Sequence, residues 1–168
     1  MTIRDGSLDE LVFHGVVRTG VQSHATLFVP GRSALQRAPN DWPEKLYPGS
    51  LNVRIDGYPS GLDKHGLPSR IVALDTGRFG PEFEILRDEF GDNKLLPRSD
   101  APRGGDAQVW RARLQSHEVQ SVNCWVLRRF GSRVGEQLEF VSDQRLRDHG
   151  FTDGQRVTVS LFGVWRDS

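Results

Sequence analysis

The sequence lacks the features that mark disulfide-bonded, membrane-spanning and secreted proteins. It contains one cysteine, Cys124, among 168 residues, so an internal disulfide is excluded. It has no run of about eighteen apolar residues, the length that a membrane-spanning helix needs. The amino end reaches Asp5 before any apolar stretch, unlike a secretory signal peptide. From these absences we expect a cytoplasmic protein with no membrane partner.

An excess of one charge sign is also missing. The 22 Lys and Arg residues equal the 22 Asp and Glu residues, which gives a formal net charge of zero. Nucleic acid and anionic membranes therefore lack a global electrostatic attraction to the chain, and small-molecule ligands are favoured. Neither a phosphate-binding loop of the Gly-x-x-x-x-Gly-Lys-Ser/Thr type nor a dinucleotide-binding glycine motif occurs, so the common ATP-binding folds are unsupported.

Short apolar runs, rich in β-branched and aromatic residues, dominate what is present, and most of the 18 glycines and 9 prolines lie between them. The predicted strands are 11–18, 25–29, 50–55, 70–74, 82–86, 109–114, 123–128, 137–141 and 156–162. Ser142 or Asp143 is predicted to cap a short helix that Gly150 ends. This pattern predicts one domain over residues 1–168, a mainly β barrel with one or two short helices. The pattern loosens between about 57 and 105, which indicates an inserted region of loops and strands.

The stretch Tyr-Pro-Gly-Ser-Leu-Asn-Val at 47–53 combines a Pro-Gly turn with an alternating strand. Side chains two apart on a strand point the same way, so Ser50 and Asn52 are predicted to share one face. Two neutral oxygen donors can complete a Mg²⁺ site whose remaining ligands are water and substrate phosphate. The arrangement fits a metal and nucleotide site better than a metal site that the protein completes alone. On residue types alone, two solvated polar residues on the outer face of a strand are the commoner case.

Three stretches carry a resemblance to a known family. Gly-Val-Val-Arg-Thr-Gly at 15–20 is similar to a Gly-x-Val-x-Ser-Gly opening, and the 47–53 stretch is similar to a Tyr-x-Gly-Thr-Leu-Asn signature. Leu-Glu-Phe-Val at 138–141, followed by Leu-Arg and Asp-Gly, resembles a closing pattern. Together they resemble the archaeal CTP-dependent riboflavin kinases, six-stranded cradle-loop β-barrels that phosphorylate riboflavin to FMN. The resemblance implies a phosphotransferase with Mg²⁺, CTP and riboflavin as its partners.

Carried over by position, the resemblance implies that Ser50 and Asn52 contact the Mg²⁺. It implies that Glu139 accepts hydrogen bonds from the ribityl chain and serves as the catalytic residue, and that Ser132 binds the flavin in place of a threonine. The implied nucleotide-binding residues are Val21, Gln22, Ser23, His24, Ala25, Thr26, Gln144, Arg145, Leu146 and Arg147. Without the resemblance, Glu139 and the two arginines would be assigned to solvated surface.

Two other functions stay open at this stage. One is a non-catalytic barrel that binds a nucleotide or flavin as a sensor or interaction module. The other is a barrel that binds single-stranded nucleic acid, although the zero net charge makes this the weaker hypothesis. Its basic and aromatic face would comprise Arg98, Arg103, Trp110, Arg111, Arg113, Trp125, Arg128, Arg129 and Arg133. Cys124, within an apolar strand, is predicted to be a buried structural thiol.

Overall fold

The computed structural model describes residues 8–18, 29–48, 50–56, 70–90, 106–117, 121–130 and 137–166. Its strands are β1 (Asp9–Arg18), β2 (Leu51–Ile55), β3 (Phe79–Gly80), β4 (Phe83–Ile85), β5 (Ala107–Gln115), β6 (Val122–Arg129), β7 (Gln137–Val141) and β8 (Arg156–Trp165). The predicted strand at 25–29 lies outside the described residues except for Val29, which is not in a strand. Most of the inserted region, at 57–69 and 91–105, also lies outside them.

Six of these strands close into an antiparallel barrel, which confirms the predicted fold class. The order around the barrel is β1, β2, β7, β6, β5 and β8, and closure occurs because β8 pairs with both β5 and β1. The two short strands are additions at the outside, β3 on β8 and β4 on β5. A closed barrel leaves no unpaired sheet edge around its circumference.

Alternating side chains fill the barrel interior. Leu51, Val53 and Ile55 of β2 are buried, and so are Leu138 and Phe140 of the neighbouring β7. They belong to one apolar cluster that also takes residues from β1, β5, β6 and β8. Since successive side chains of a strand point to opposite faces, the intervening residues of β2 and β7 lie on the outer face of the barrel.

A second apolar cluster covers part of that outer face, over β4, β5 and β6. Trp42 packs edge-on against both Phe83 and Trp125, with ring centroids 5.0 Å apart in each pair. The indole Nε1 of Trp42 donates a hydrogen bond to the Pro30 carbonyl at 3.0 Å. These contacts fix the segment before the 47–53 stretch against the barrel wall.

The strand predicted at 70–74 is wrong, because these residues begin an α-helix, α1 (Arg70–Asp75). Ile71 and Leu74, one helical turn apart, are both buried. The helix is held by side chains from distant strands. Arg128 donates two hydrogen bonds to the Asp75 carboxylate, and Gln108 Nε2 donates to the Leu74 carbonyl at 2.9 Å. The strand predicted at 82–86 is confirmed as β4.

Gly15 of β1 marks a close backbone approach between two strands. A Cβ atom at this position would lie 2.3 Å from the Arg54 carbonyl oxygen and 2.7 Å from Cγ1 of Val53. The absence of a side chain therefore lets β1 approach β2. Among the described residues, no helix is long and apolar enough to cross a membrane.

Candidate functional site

Asn52 and Glu139 lie at the centre of a row of residues that crosses four strands. Asn52 pairs with Arg18 of β1 on one side and with Glu139 of β7 on the other. Glu139 in turn pairs with Leu127 of β6. Because the neighbours of Asn52 and Glu139 in their own strands point inward, these two half-buried side chains share the outer face of the barrel. The register thus brings an amide and a carboxylate side by side.

A cavity of about 210 Å³ opens next to this row. It brings Ser50 together with the whole implied nucleotide-binding stretch at 144–147. The lining residues are Tyr47, Ser50, Leu51, Phe140, Ser142, Gln144, Arg145, Leu146 and Arg147. Five of the implied site residues therefore border one cavity. Asn52 and Glu139 each lie one residue beyond a lining residue in their own strands.

Backbone hydrogen bonds at the end of β7 shape the cavity. The Tyr47 N–H donates to the Ser142 carbonyl at 2.8 Å, which ties Tyr47 to the end of β7. The Ser142 hydroxyl accepts a hydrogen bond from the Gln144 N–H at 3.1 Å. The chain consequently turns sharply after Val141 and returns past Ser50.

The predicted helix after β7 is present but shorter, and its predicted cap is wrong. A 3₁₀ helix spans Leu146–His149, and Arg145 precedes it without a side-chain cap. Ser142 forms the local turn described above instead of capping the helix. Gly150 ends the helix as predicted, with a left-handed φ of 97°, and its N–H donates to the Arg147 carbonyl at 3.1 Å. Buried Leu146 anchors the helix to the core.

Two guanidinium groups line the cavity, and each has an acidic neighbour. Arg147 Nη2 donates to Asp153 Oδ1 at 2.7 Å. Arg145 Nη1 lies 3.5 Å from Asp148 Oδ1. These pairs are largely exposed, and exposed pairs are weak. A phosphate ligand can therefore recruit either arginine at little energetic cost.

The oxygen donors of the site suit a Mg²⁺ ion that also takes ligands from substrate and water, more than a metal ion whose ligands all come from the protein. In the described part of the chain, no group of three or more His, Cys, Asp or Glu side chains could hold a metal ion. Ser50 and Asn52 offer a hydroxyl and an amide oxygen, with the Glu139 carboxylate paired opposite Asn52. Such a hard, oxygen-only set fits Mg²⁺ that takes further ligands from phosphate and water.

Sequence reasoning missed three residues of this region. Tyr47 and Ser142 line the cavity, and Arg18 stands beside Asn52 in the row. Tyr47 lies inside the 47–53 stretch, so that motif could have indicated it. The other two depend on pairings between distant strands. The implied residues Val21, Gln22, Ser23, His24, Ala25, Thr26 and Ser132 lie outside the described residues.

The two tryptophans suggested for a nucleic-acid surface are not available for base stacking. Trp110 is fully buried, and its Nε1 donates to the Phe79 carbonyl at 3.2 Å. Trp125 is 7% exposed and packs against Trp42 on one side, with the Arg111 guanidinium 4.7 Å from its ring centroid. Stacking on single-stranded nucleic acid needs open aromatic faces. The predicted basic and aromatic face is therefore wrong in its aromatic part.

No protein-family model matches the chain, and no curated protein matches it. Functional inference therefore depends on the cavity, the Asn52–Glu139 pair and the resemblance in the three sequence stretches.

Proposed function

We propose that this protein is a phosphotransferase that transfers a phosphoryl group from a nucleoside triphosphate, CTP, to riboflavin and releases FMN. The proposal is carried by one observation. Ser50 and residues 144–147 line one cavity, and the paired residues Asn52 and Glu139 each lie one residue from a lining residue in their own strands. The residues proposed for the donor, the metal ion and the acceptor are therefore close in the fold, although Asn52 and Glu139 lie on the outer face and the lining residues Leu51 and Phe140 point inward.

Phosphoryl transfer asks for placement and charge neutralisation more than for covalent chemistry. In the proposed site, Ser50 and Asn52 would hold a Mg²⁺ ion. The bound metal ion would neutralise negative charge on the nucleotide phosphates. Arg145 and Arg147 offset further charge from the cavity wall. The narrow space between Tyr47 and residues 144–147 orients the donor.

Glu139 acts on the acceptor. Its carboxylate accepts a hydrogen bond from the 5′-hydroxyl of riboflavin and takes up the proton as the hydroxyl oxygen bonds to the γ-phosphorus of CTP. The bond from that phosphorus to the β–γ bridging oxygen breaks at the same time, and CDP leaves. The cross-strand pairing keeps Glu139, and with it the attacking oxygen, close to Asn52. The two residues therefore have to stay in register for the transfer to proceed.

The test is incubation of the protein with riboflavin and Mg²⁺, with CTP and ATP in parallel, followed by chromatography for FMN. FMN formed with CTP supports the proposal. FMN formed with ATP alone would identify ATP, in place of CTP, as the phosphate donor. Saturable flavin binding without FMN would instead identify a non-catalytic flavin-binding or nucleotide-binding barrel.

A further inference from the structure

A second cavity, of about 310 Å³, opens where β5 ends and β8 begins, and we call it the β5–β8 cavity. Its described lining residues are 115–117 at the end of β5, 156–158 at the start of β8, and His14 of β1. It shares no described lining residue with the cavity beside Ser50. Its volume falls at the lower end of the range of small-molecule sites, about 300–1,000 Å³.

The strand register places polar lining residues in a row across three strands. Thr158 of β8 pairs with Gln115 of β5 on one side and with His14 of β1 on the other. His14 is exposed while its neighbour Phe13 belongs to the core, so this row lies on the outer face of the barrel. Arg156, two residues before Thr158, shares that face. An amide, a hydroxyl, an imidazole and a guanidinium therefore lie together.

The lining is rich in hydrogen-bond donors. Oγ1 of Thr158 lies 3.3 Å from Nδ1 of His14. When the hydroxyl donates to that nitrogen, the imidazole holds its proton on Nε2 and can donate it to a ligand. His117, exposed just beyond β5, adds a second imidazole, and the Gln115 amide adds further N–H groups. No carboxylate occurs among the described lining residues. Such a lining suits a ligand that accepts hydrogen bonds and carries negative charge.

Arg156 supplies a permanent positive charge to the cavity wall. Its Nη2 donates to Oδ2 of Asp56, but the two side chains are 62% and 48% exposed, and exposed pairs contribute little. The guanidinium has N–H groups beyond the one that Asp56 accepts. Its planar fork matches the oxygens of a phosphate group, and such charge-assisted hydrogen bonds are about twice as strong as neutral ones.

We propose that the β5–β8 cavity binds a small phosphorylated polar molecule of the sugar phosphate class. Arg156, His14 and His117 hold the phosphate, and the Gln115 amide contacts the hydroxyl groups of the sugar. A bare phosphate ion would fill only part of the volume. Val157 is the one apolar residue of the described lining, so a large apolar ring would find little to pack against. This site is independent of the proposed phosphoryl transfer.

Isothermal titration calorimetry with glucose 6-phosphate, glucose and inorganic phosphate tests the site. We expect Arg156→Gln to weaken glucose 6-phosphate at least about tenfold, the loss typical of a charge-assisted hydrogen bond. His14→Ala and His117→Ala should each weaken it about threefold or more. All three side chains are exposed, so the unliganded variants should unfold at the wild-type Tm. Arg37→Gln, at an exposed position outside the lining, is the matched control and should bind like the wild type.

The wild type should bind glucose 6-phosphate more tightly than inorganic phosphate and should not bind glucose. Equal affinity for glucose and glucose 6-phosphate would overturn the anionic ligand, and equal affinity for both phosphates would overturn the sugar. Unchanged binding in Arg156→Gln would overturn the assigned site. A loss in Arg147→Ala alone would place the ligand in the cavity beside Ser50 and have the same consequence. A wild type that does not bind glucose 6-phosphate would overturn the inference and leave the proposed transfer to riboflavin untouched.

Discussion

Asn52 and Glu139 are directly paired residues of the antiparallel strands β2 and β7. Directly opposed residues of this kind have Cβ atoms about 4.5–5.5 Å apart. An amide oxygen donor and a carboxylate therefore stand within reach of one small group, although they are far apart in the chain. The pairing is set by the barrel, so the two functions proposed for them depend on the same strand register.

Replacement of Asn52 by alanine should reduce FMN formation by at least about a hundredfold, because the substitution removes an oxygen donor at the point where charge develops. The position is half-buried on the outer face, so the fold should survive. The measurement is the steady-state rate at saturating Mg²⁺ and CTP. Asn123→Ala is the matched control, since Asn123 is an exposed strand residue outside the cavity lining, and it should retain wild-type turnover. An Asn52→Ala variant as active as that control would contradict the metal assignment.

Glu139→Gln should lower kcat by about 10²- to 10⁴-fold, the range that a positioned general base contributes. The amide keeps the shape of the side chain and can no longer take up a proton. Glu10→Gln, at an exposed position of β1 paired with Phe162, is the control and should leave kcat intact.

Arg147→Ala should raise the KM for the nucleotide about tenfold with a smaller change in kcat. Arg147 lines the cavity and donates to Asp153, so its removal takes a positive charge from the cavity wall and weakens donor binding. Initial rates at varied CTP concentration measure the effect. Arg37→Ala, at an exposed position outside the lining, serves as the control. A selective loss of kcat would instead assign Arg147 to the transition state.

The local parts of the site could be predicted from sequence because they depend on short-range geometry. The alternation in 50–55 predicts an outward Asn52, and the structure has Asn52 on the outer face of β2. Ser50 precedes the strand and lines the cavity, so its predicted place on the same face as Asn52 stays a prediction. The Asn52–Glu139 pairing and the return of residues 144–147 past Ser50 depend on strand order. Strand order is a tertiary property. The resemblance suggested which residues form the site, but it did not indicate which of them pair across β2 and β7.

The error at 70–74 has a different cause. A short apolar run of this kind fits a buried strand or a buried helix equally well. Hydrogen bonds from Arg128 and Gln108 at the carboxyl end of α1 support the helical form. Both donors lie on strands that are distant in the sequence, so the apolar pattern of residues 70–74 cannot indicate these hydrogen bonds.

Gly15→Ala tests the close approach of β1 to β2. The new Cβ would lie 2.3 Å from the Arg54 carbonyl oxygen, and backbone atoms cannot yield as a flexible side chain can. We expect a loss of about 1–3 kcal/mol in the free energy of unfolding, as for an overpacked core, measured by urea denaturation. A loss below about 0.5 kcal/mol, typical of an open surface position, would show that the strands separate easily.

Cys124 should be unreactive in the folded protein. Burial raises the pKa of its thiol to about 12, so almost no thiolate forms at pH 8. A thiol reagent should modify the chain promptly in denaturant and hardly at all in native buffer. The unfolded chain ionises this thiol above pH ~8.5 and the folded one does not, so stability should fall as the pH rises past that value. Cys124→Ala should reduce that fall, and prompt modification of the native protein would contradict the buried placement.

The central claim is that one face of the barrel carries out phosphoryl transfer to a flavin. Its most direct test follows the label from CTP that is radiolabelled on the γ-phosphate, in the presence of riboflavin, with Mg²⁺ or with an excess of chelator. We predict labelled FMN with Mg²⁺ and none with chelator. A folded protein that binds riboflavin and yields no labelled FMN, from γ-labelled CTP or ATP, would contradict the claim.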